Sequence, residues 1–390
     1  MDFAWSFEQK AFYNEMRKFA ENEVSPGVVE RDIKGEFNWE AWNKAGKLRI
    51  VGIPIPEQYG GGGADIIIMM AGMEGFGAGC RDAGFYLSLA AHIVIGEIPI
   101  WKFGTEEQRQ RYLPKMCSGE WVGAYGLSEP DAGSDAASLR TTAVRKGDKY
   151  VLNGTKMFIT NGPIANVIVV FATIDPSKGP KGITAFIIER DFPGFSASPP
   201  LDKMGQRTSP TGELVFEDCI VPVENRLGEE GEGFAILNES LEWERACILA
   251  GSIGQAEYEI ERCVKYARKR VQFGRPIGEF QLIQERLSNM KCRLEASRML
   301  VYRAGWMKQK GIPARMEAAI AKLTISETRV ANALDAIQIH GGYGYMREFE
   351  VERILRDSIA ATIGAGSTEI QKITIARQLL SGHWTRIQNY

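Results

Sequence analysis

The segment that organises this sequence is Phe234–Arg270, with the residues FAILNESLEWERACILAGSIGQAEYEIERCVKYARKR. It contains no proline, and its leucine, isoleucine and alanine residues recur at helical spacing, which predicts a single long helix. On a helical wheel of about 100° per residue, Glu244 lies on the same apolar stripe as Leu237, Leu241 and Ile248. A carboxylate on such a stripe is expected to be buried, and burial raises its pKa towards the range that suits a general base near neutral pH.

Glu244 has a second interpretation, which is a structural ion pair with the adjacent Arg245 or with an arginine of another helix. Structural ion pairs outnumber catalytic carboxylates, so this helix alone favours the structural interpretation. Glu239 and Glu242 lie on the opposite side of the wheel, where solvated carboxylates are expected. A catalytic role for Glu244 therefore needs support from elsewhere in the chain.

The composition is that of an ordinary globular protein, with 44% hydrophobic and 25% charged residues in a chain long enough for two or three domains. The 47 basic and 49 acidic residues leave a net charge of −2. This balance indicates neither a nucleic-acid partner nor an anionic membrane surface.

The six cysteines are scattered without a CxxC pair, and the chain has only three histidines. This pattern argues against a metal site and a disulfide framework, and it favours a reducing compartment. The first residues, MDFAWSFEQK, carry charges too early for a signal peptide, and no run approaches the roughly 18 apolar residues of a membrane span. We therefore expect a cytoplasmic protein.

The periodicity of the apolar residues divides the chain into three parts. Residues 1–120 show helical spacing, residues 121–230 contain short β-branched runs separated by Gly, Pro and Asp, and residues 231–390 are helical again. Because the loops between the last long helices are short, these helices are expected to pack antiparallel. The predicted fold class is α+β and mainly α: an N-terminal helical domain, a middle small β domain and a C-terminal antiparallel helix bundle.

The individual elements follow from the same periodicity. The predicted helices are Phe7–Glu23, Trp39–Leu48, Ala64–Gly77, Asp82–Phe103, Glu106–Met116, Phe234–Arg270, Gln281–Lys310 and Pro313–His340. The predicted strands are Val167–Ile174, Ile183–Glu189 and Glu213–Val223, together with a hairpin that turns at Lys146–Asp148. No βαβ alternation is present, and Gly341-Gly342 follows a helix rather than a strand, which excludes a Rossmann dinucleotide turn.

Five segments of the sequence resemble motifs of the acyl-CoA dehydrogenase family. They occur in the order and at the spacing of that family, and the resemblance extends over essentially the whole chain. The segments are YGLSEPDAGSD at 125–135, NGTKMFITNG at 153–162, RVQFG at 270–274, QIHGG at 338–342 and AGSTEIQ at 365–371. The resemblance implies an FAD-dependent dehydrogenase of acyl thioesters.

In that family the flavin lies between the β domain and the helix bundle, where uncharged main-chain and hydroxyl groups leave the ring ready for hydride transfer. The resemblance implies ring contacts from Tyr125, Leu127, Ser128, Gly133, Ser134, Phe158, Ile159 and Thr160. Phe158 stands where the family more commonly has tryptophan, so an aromatic face remains but an indole hydrogen bond does not.

The rest of FAD is implied to contact residues further along the chain. Across a subunit boundary, the adenosine diphosphate half would contact Arg270, Gln272, Phe273 and Gln281. Gln338, Gly341 and Gly342 would approach the pyrophosphate, where a larger side chain would obstruct. Ser367 and Glu369 would complete the contacts near a helix N-terminus.

The resemblance also bears on the catalytic base. Many family members carry a glutamate directly before the glycine of Ala365-Gly366, but this chain has no carboxylate there. A minority, including isovaleryl- and long-chain-type dehydrogenases, place the base on the long bundle helix directly before an arginine, which here is Glu244-Arg245. The helical wheel and the resemblance therefore indicate the same residue.

The implied mechanism is removal of the α-proton of an acyl thioester by Glu244 while the β-hydrogen leaves as a hydride. Stabilisation of the enolate-like charge requires hydrogen-bond donors at the thioester carbonyl. One donor is implied to be the backbone N–H at Ala365. The predicted substrate-binding residues are Ser134, Trp243, Arg245 and Ala365.

Two substrate classes remain open: a short or branched acyl-CoA, and an acyl or prolyl group on the phosphopantetheine of a carrier protein. The segments Cys80–Gly104 and Trp243–Cys247 are similar to prolyl-carrier-protein dehydrogenases. Alternative functions of this fold are a flavin oxidase or monooxygenase and a non-catalytic FAD-binding protein. The implied partners are an electron-accepting flavoprotein or O2 and further copies of the chain in a homotetramer, with no nucleic acid and no membrane.

Overall fold

The computed structural model describes residues 4–382, and its first part is helical. Helix α1 begins after Ser6, whose side chain accepts a hydrogen bond from the Gln9 N–H while the Gln9 side chain accepts one from the Ser6 N–H. This reciprocal cap satisfies two of the free N–H groups at the helix start. The helices are α1 Phe7–Phe19, α2 Val28–Lys34, α3 Trp39–Lys47, α4 Ile66–Gly79, α5 Ala83–Ala91, α6 Ile98–Phe103 and α7 Glu106–Cys117.

Two of these predicted helices contain a wider π-helical turn that the periodicity does not reveal. The helix predicted over Phe7–Glu23 is α1 followed by a π turn at Ala20–Val24. The helix predicted over Asp82–Phe103 is α5, a π turn at His92–Glu97, and α6. Helix α2 was not predicted, since its seven residues are too few for a clear apolar period.

The stretch Ala83–Phe103 also corrects the expectation that no segment approaches a membrane span. Its 21 residues contain a window with a mean hydropathy of 1.5, which is long and apolar enough for a span by composition. However, 83% of that window is buried inside the protein. Such burial is typical of a core helix that is apolar all round because it has neighbours on every side.

The middle part of the chain is an eight-stranded sheet. Its strands are β1 Gly123–Gly126, β2 Thr142–Lys146, β3 Lys149–Thr160, β4 Val167–Thr173, β5 Ile183–Glu189, β6 Phe195–Ala197, β7 Thr211–Pro222 and β8 Arg226–Leu227. The order is β6-β7-β3-β2-β4-β5-β8, and β1 pairs in parallel with β4. The predicted hairpin is present, with Lys146 opposite Lys149. The strands β1, β6 and β8 are too short to show an alternating pattern and were not predicted.

The last part is a bundle of long helices, as expected from the pattern. After α8 Gly233–Trp243 the helix continues through a π turn at Glu244–Ile248 into α9 Leu249–Lys269. A small hairpin of β9 Val271–Gln272 and β10 Arg275–Pro276 leads to α10. The remaining helices are α10 Gln281–Gln309, α11 Arg315–His340, α12 Gly342–Tyr345, α13 Val351–Ile363 and α14 Thr368–Leu380.

Close contact between α4 and α9 fixes the bundle against the N-terminal helices. A Cβ atom at Gly77 would lie 2.0 Å from the carbonyl oxygen of Gly251, so the two backbones touch where only glycine fits. Next to this contact, Arg298 of α10 pairs with Glu74 of α4 at 2.9 Å and with Glu257 of α9 at 3.0 Å. The helix that carries Glu244 is therefore held by both helical parts of the protein.

Candidate active site

Glu244 is the first residue of the π turn between α8 and α9. Its side chain is half-buried, and the carboxylate makes no hydrogen bond or ion pair with any residue in 4–382. On the other side of the helix, Glu239 and Glu242 both pair with Lys308, at 2.6 Å and 3.1 Å. The expectation that those two carboxylates are simply solvated was therefore wrong. The structural ion pair considered for Glu244 is not formed with any residue between 4 and 382.

The pKa of Glu244 is raised above the ordinary value of a glutamate. Loss of solvation is the main cause, and the charges of Arg245 and Lys322 offset part of it. Such a carboxyl group binds a proton more readily than one in water, as a general base at neutral pH requires. π turns of this kind are rare and occur frequently at functional sites.

The loop that carries Ala365 is fixed beside Glu244 by three side chains. Arg245 donates from Nε to the Ala365 carbonyl at 3.0 Å, and Lys322 donates from Nζ to the Gly366 carbonyl at 2.7 Å. The Gln371 side chain donates to both carbonyls, at 3.1 and 2.9 Å. Ala365 has a positive φ of 54°, which costs a non-glycine residue about 1–2 kcal/mol and requires firm support.

Two of these three supporting residues were not predicted. Lys322 is buried on α11, and loss of solvation lowers its pKa to about 8. Its position in the run AAIAKL, a lysine among apolar helical residues, was the available signal. Gln371 is the last residue of the AGSTEIQ motif, but nothing in the sequence distinguishes its side chain from a solvated one.

Strand β1 and the loop that follows it carry the uncharged residues predicted to contact the flavin. Tyr125 is on β1, and its buried hydroxyl has no hydrogen-bond partner among the described residues. Burial raises the pKa of that hydroxyl, the nearby Ser240 side chain lowers it, and the Glu244 carboxylate raises it again. Leu127 and Ser128 are half-buried, whereas Gly133 and Ser134 are exposed.

Phe158 is held in an unusual conformation on β3. It has a φ of 62° and its side chain is 66% exposed, although it lies in a strand of the sheet. The β3–β7 ladder changes register between Lys156 and Ile159, which is the effect of a bulge that turns one side chain out of the regular alternation. Ile159 is buried in the β-domain core, and Thr160 is half-buried. An exposed aromatic ring at a strained position indicates a surface prepared for a ligand.

A buried ion pair supports the loop that follows β1. Lys156 is fully buried and donates to Glu129 at 2.6 Å and to the Leu127 carbonyl at 3.2 Å. Glu129 also accepts from the N–H groups of Arg140 and Thr141. Loss of solvation lowers the pKa of Lys156 to about 8, and the charge of Glu129 opposes that shift.

The residues predicted to contact the adenosine diphosphate half and the pyrophosphate of FAD lie between the end of α9 and the start of α10 and around the end of α11. Arg270 lies over the ring of Tyr343 at 5.5 Å, which joins the β9–β10 hairpin to the segment that follows α11. Phe273 is 94% exposed at a φ of 52°. The other residues of this group, Gln272, Gln281, Gln338, Gly341 and Gly342, are exposed.

Ser367 and Glu369 lie at the start of α14. The Ser367 side chain accepts from the Ile370 N–H at 3.4 Å and caps the helix. Hydrogen bonds from its own N–H and from Ser367 lower the pKa of Glu369, which favours its charged form. A charged carboxylate at a helix N-terminus is the electrostatically favoured arrangement.

Within residues 4–382 no group of three or more His, Cys, Asp or Glu side chains is arranged to hold a metal ion. The six cysteines are free, and only Cys292 is exposed.

The Glu244 carboxyl has a raised pKa and no ion-pair partner among the described residues, and its neighbour Arg245 holds the Ala365 loop. These are features of an active site that moves a proton. Family models for acyl-CoA dehydrogenases match the chain throughout. The N-terminal domain model matches residues 6–120, the middle domain model residues 124–219 and the C-terminal domain model residues 231–380. The chain belongs to the acyl-CoA dehydrogenase family.

Individual relatives agree with this assignment. An acyl-CoA dehydrogenase of Bacillus subtilis is 44% identical over 96% of this chain and 98% of its own length. An L-prolyl-[peptidyl-carrier protein] dehydrogenase of Pseudomonas fluorescens is 42% identical over 88% of this chain and 90% of its own length. The structure of the prolyl acyl carrier protein oxidase AnaB is similar, with a TM-score of 0.95, 46% identity and coverage of 96% of this chain and 100% of that one.

The cofactor is FAD, as in the family and in the structure of PigA with FAD and proline, which has a TM-score of 0.95, 36% identity and coverage of 97% of this chain and 99% of that one. The residues of this chain fit the cofactor. The buried Tyr125 hydroxyl has no hydrogen-bond partner in the part of the chain that the structure describes, and Phe158 presents an exposed ring. At Gly341 and Gly342 a Cβ atom would meet nothing within 4 Å, so the backbone there is open to a ligand. The predictions of fold class, family and cofactor are confirmed, while the roles of the single residues remain predictions.

Proposed function

We propose that this protein catalyses the α,β-dehydrogenation of an acyl thioester, with Glu244 as the base that removes the α-proton. The observation that carries the proposal is the Glu244 carboxylate, which has no ion-pair partner among the described residues and has a raised pKa. A structural carboxylate in such a partly buried position is usually paired, because an unpaired charge that loses hydration is costly. Bound FAD supplies the acceptor for the β-hydride.

The Ala365 loop gives the proposal a second support. The Ala365 carbonyl accepts two hydrogen bonds, whereas its N–H donates none to the described residues. A fixed N–H of this kind can bind a thioester carbonyl oxygen and stabilise the charge that develops when the α-proton leaves. Arg245 and Gln371 hold the N–H in place, so Arg245 acts on the substrate through the loop. Trp243 and Ser134 complete the proposed substrate contacts.

The FAD contacts are proposed for the residues that the family motifs indicate. Phe158, at its strained position, is proposed to lie against the flavin ring, with Tyr125 and the segment 127–134 as hydrogen-bonding neighbours. The exposed Phe273 is proposed to reach an FAD molecule across a subunit boundary in a homotetramer. Native mass spectrometry of the FAD-loaded protein tests this assembly, and a monomer would contradict it. Cytoplasmic localisation remains a prediction.

We propose that a carrier protein presents the acyl group, which is a prolyl group or a close analogue. The two segments that resemble carrier-protein dehydrogenases lie next to each other, since Lys102 lies 5.7 Å from the Trp243 ring. The carrier-protein relatives described above agree with this proposal, and the Bacillus relative favours acyl-CoA as the alternative.

Thioester specificity is tested by anaerobic bleaching of the flavin absorbance. Isovaleryl-CoA, butyryl-CoA, prolyl-CoA and a prolyl-loaded carrier protein are each added to the enzyme. We expect fast bleaching with the loaded carrier and slow or no bleaching with the CoA thioesters, because a carrier adds protein contacts that CoA lacks. Fast bleaching by the simple acyl-CoAs alone would refute the carrier proposal, and no bleaching by any thioester would refute the dehydrogenation itself. Reoxidation by O2 or by an electron-transferring flavoprotein then separates an oxidase from a dehydrogenase.

The pH dependence of flavin reduction reports the protonation state of the base. Because burial raises the pKa of Glu244, its carboxyl group stays protonated, and inactive as a base, at pH values where an ordinary glutamate is already ionised. The reduction rate is therefore expected to rise with pH along a limb that lies above the ordinary glutamate range. Anaerobic stopped-flow measurements between about pH 5 and 9 determine this limb. A limb at the ordinary glutamate pKa would contradict a desolvated base.

A further inference from the structure

The π turn at Glu244–Ile248 disturbs the regular hydrogen bonds of the helix backbone. In an unbroken α-helix each N–H donates to the carbonyl four residues earlier. At this turn the hydroxyl of Tyr86 donates to the Ile248 carbonyl and accepts from the Gly251 N–H at 3.1 Å. The Tyr86 side chain of α5 therefore forms hydrogen bonds with a carbonyl group and with an N–H group of the interrupted helix at the same time.

The Tyr86 ring is buried and packs against α4 and α9. It is 4% exposed and lies 6.0 Å from the ring of Phe76. A Cβ atom at Gly251 would lie 2.0 Å from Cζ of Tyr86, so glycine is required for this approach. The nearby contact of Gly77 with the Gly251 carbonyl holds the same helix from α4. Burial raises the pKa of the Tyr86 hydroxyl, which therefore remains a donor.

The direction of Glu244 depends on the π turn. Each residue of an α-helix adds about 100° of rotation. If the π turn became a regular α-helical turn, α8 and Glu244 would therefore rotate by about that angle relative to α9. Helix α9 is fixed by its contact with α4, and the Glu244 side chain has no hydrogen bond of its own to hold it among the described residues. The backbone of the turn is thus what sets the position of the carboxylate.

We propose that Tyr86 is a positioning residue for the catalytic base: its hydroxyl holds the π turn through Ile248 and Gly251 and so directs Glu244 towards the substrate. This inference rests on the proposed role of Glu244. Tyr86 itself does not touch the reacting atoms. Tyr86 contributes by fixing the position of Glu244, and a displacement of about 1 Å in a reacting group can lower a rate on the order of 100-fold.

The test uses Tyr86→Phe in the FAD-loaded enzyme, because phenylalanine keeps the ring and its packing. We expect flavin reduction by substrate to slow on the order of 10- to 100-fold with little change in KM. We also expect the acid limb of the pH profile to move. Independently of activity, hydrogen–deuterium exchange should accelerate in peptides that cover residues 244–251, since the Gly251 N–H loses its acceptor.

Tyr112→Phe is the matched control. Tyr112 is 1% exposed, and its hydroxyl also serves two partners, donating to Glu189 at 2.7 Å and accepting from Asn225 at 2.7 Å. The Tyr112→Phe variant should lose a comparable amount of folding stability. Its rate of flavin reduction, the acid limb of its pH profile and its hydrogen–deuterium exchange at residues 244–251 should remain those of the wild type.

The outcomes separate this inference from the proposed function. If Glu244→Gln is inactive while Tyr86→Phe has the wild-type reduction rate and exchange, the positioning role is wrong and the base assignment stands. If both tyrosine variants slow reduction equally, the effect is general destabilisation and the positioning role is again wrong. If Glu244→Gln reduces its flavin at the wild-type rate, the base assignment itself is wrong, and the exchange data alone then decide whether Tyr86 holds the turn.

Discussion

Replacement of Glu244 by glutamine is expected to abolish most flavin reduction by the thioester substrate. Glutamine keeps the shape and hydrogen-bonding capacity of the side chain but cannot accept the α-proton, and a general base contributes typically about 10²–10⁴-fold to the rate. The flavin spectrum and ligand binding should remain, because Glu244 makes no hydrogen bond or ion pair that the change would break among the described residues. Anaerobic stopped-flow reduction with substrate measures the loss.

The same helix offers a matched control for this change. Glu242→Gln removes the same charge two residues earlier, and Lys308 keeps its pairing with Glu239. This variant should reduce its flavin at close to the wild-type rate. In the Glu244→Gln background, Ala365→Glu is expected to restore part of the activity, since it places a carboxylate on the adjacent loop. Wild-type reduction by Glu244→Gln would move the base elsewhere.

Replacement of Lys156 by methionine is expected to give the largest loss of stability. Lys156 is fully buried, and its removal leaves the Glu129 carboxylate inside the protein without a cation, held by the N–H groups of Arg140 and Thr141. Breaking one partner of a buried pair costs about 3–5 kcal/mol, even where the intact pair adds little by itself. The free energy of unfolding, measured by denaturant titration of the FAD-loaded and FAD-free protein, should fall in both forms.

The cofactor site should respond to the same change. The loop that contains Leu127 is tied to Lys156 at 3.2 Å, so Lys156→Met should also weaken FAD binding and alter the flavin spectrum. Lys146→Met, at the exposed end of β2, is the control and should change neither quantity. The double variant Glu129→Gln with Lys156→Met should be less destabilised than the sum of the single changes. Additive losses would show that the two side chains do not interact.

Much of the architecture could be predicted because it depends on local periodicity. Apolar spacing distinguishes helix from strand within a window of about 11–18 residues, and this was enough for the long helices α9, α10 and α11 and for the predicted hairpin. Short elements such as β1 and α2 lack that length and were missed. The π turns were also missed, since one extra residue in a turn leaves the composition of the segment unchanged.

The candidate base illustrates both sides of this limit. The sequence by itself determined that Glu244 lies on an apolar helix face and that Ala365 lacks a carboxylate. These are statements about residue type and spacing, and together with the resemblance to the family they indicated Glu244 as the base. The tertiary structure decided that the carboxylate is without an ion-pair partner among the described residues, because pairing depends on what other elements bring near it.

The supporting contacts were decided by the tertiary structure alone. Tyr86, Lys322 and Gln371 reach the site from α5, α11 and α14, and no spacing within one segment relates them to Glu244. Phe158 likewise owes its exposed, left-handed conformation to a bulge against β7. Periodicity describes one segment at a time, whereas hydrogen bonds and burial at a site depend on segments far apart in the chain. For this reason the sequence determined the class of chemistry, and the packing of the helices and the sheet decided the geometry that supports it.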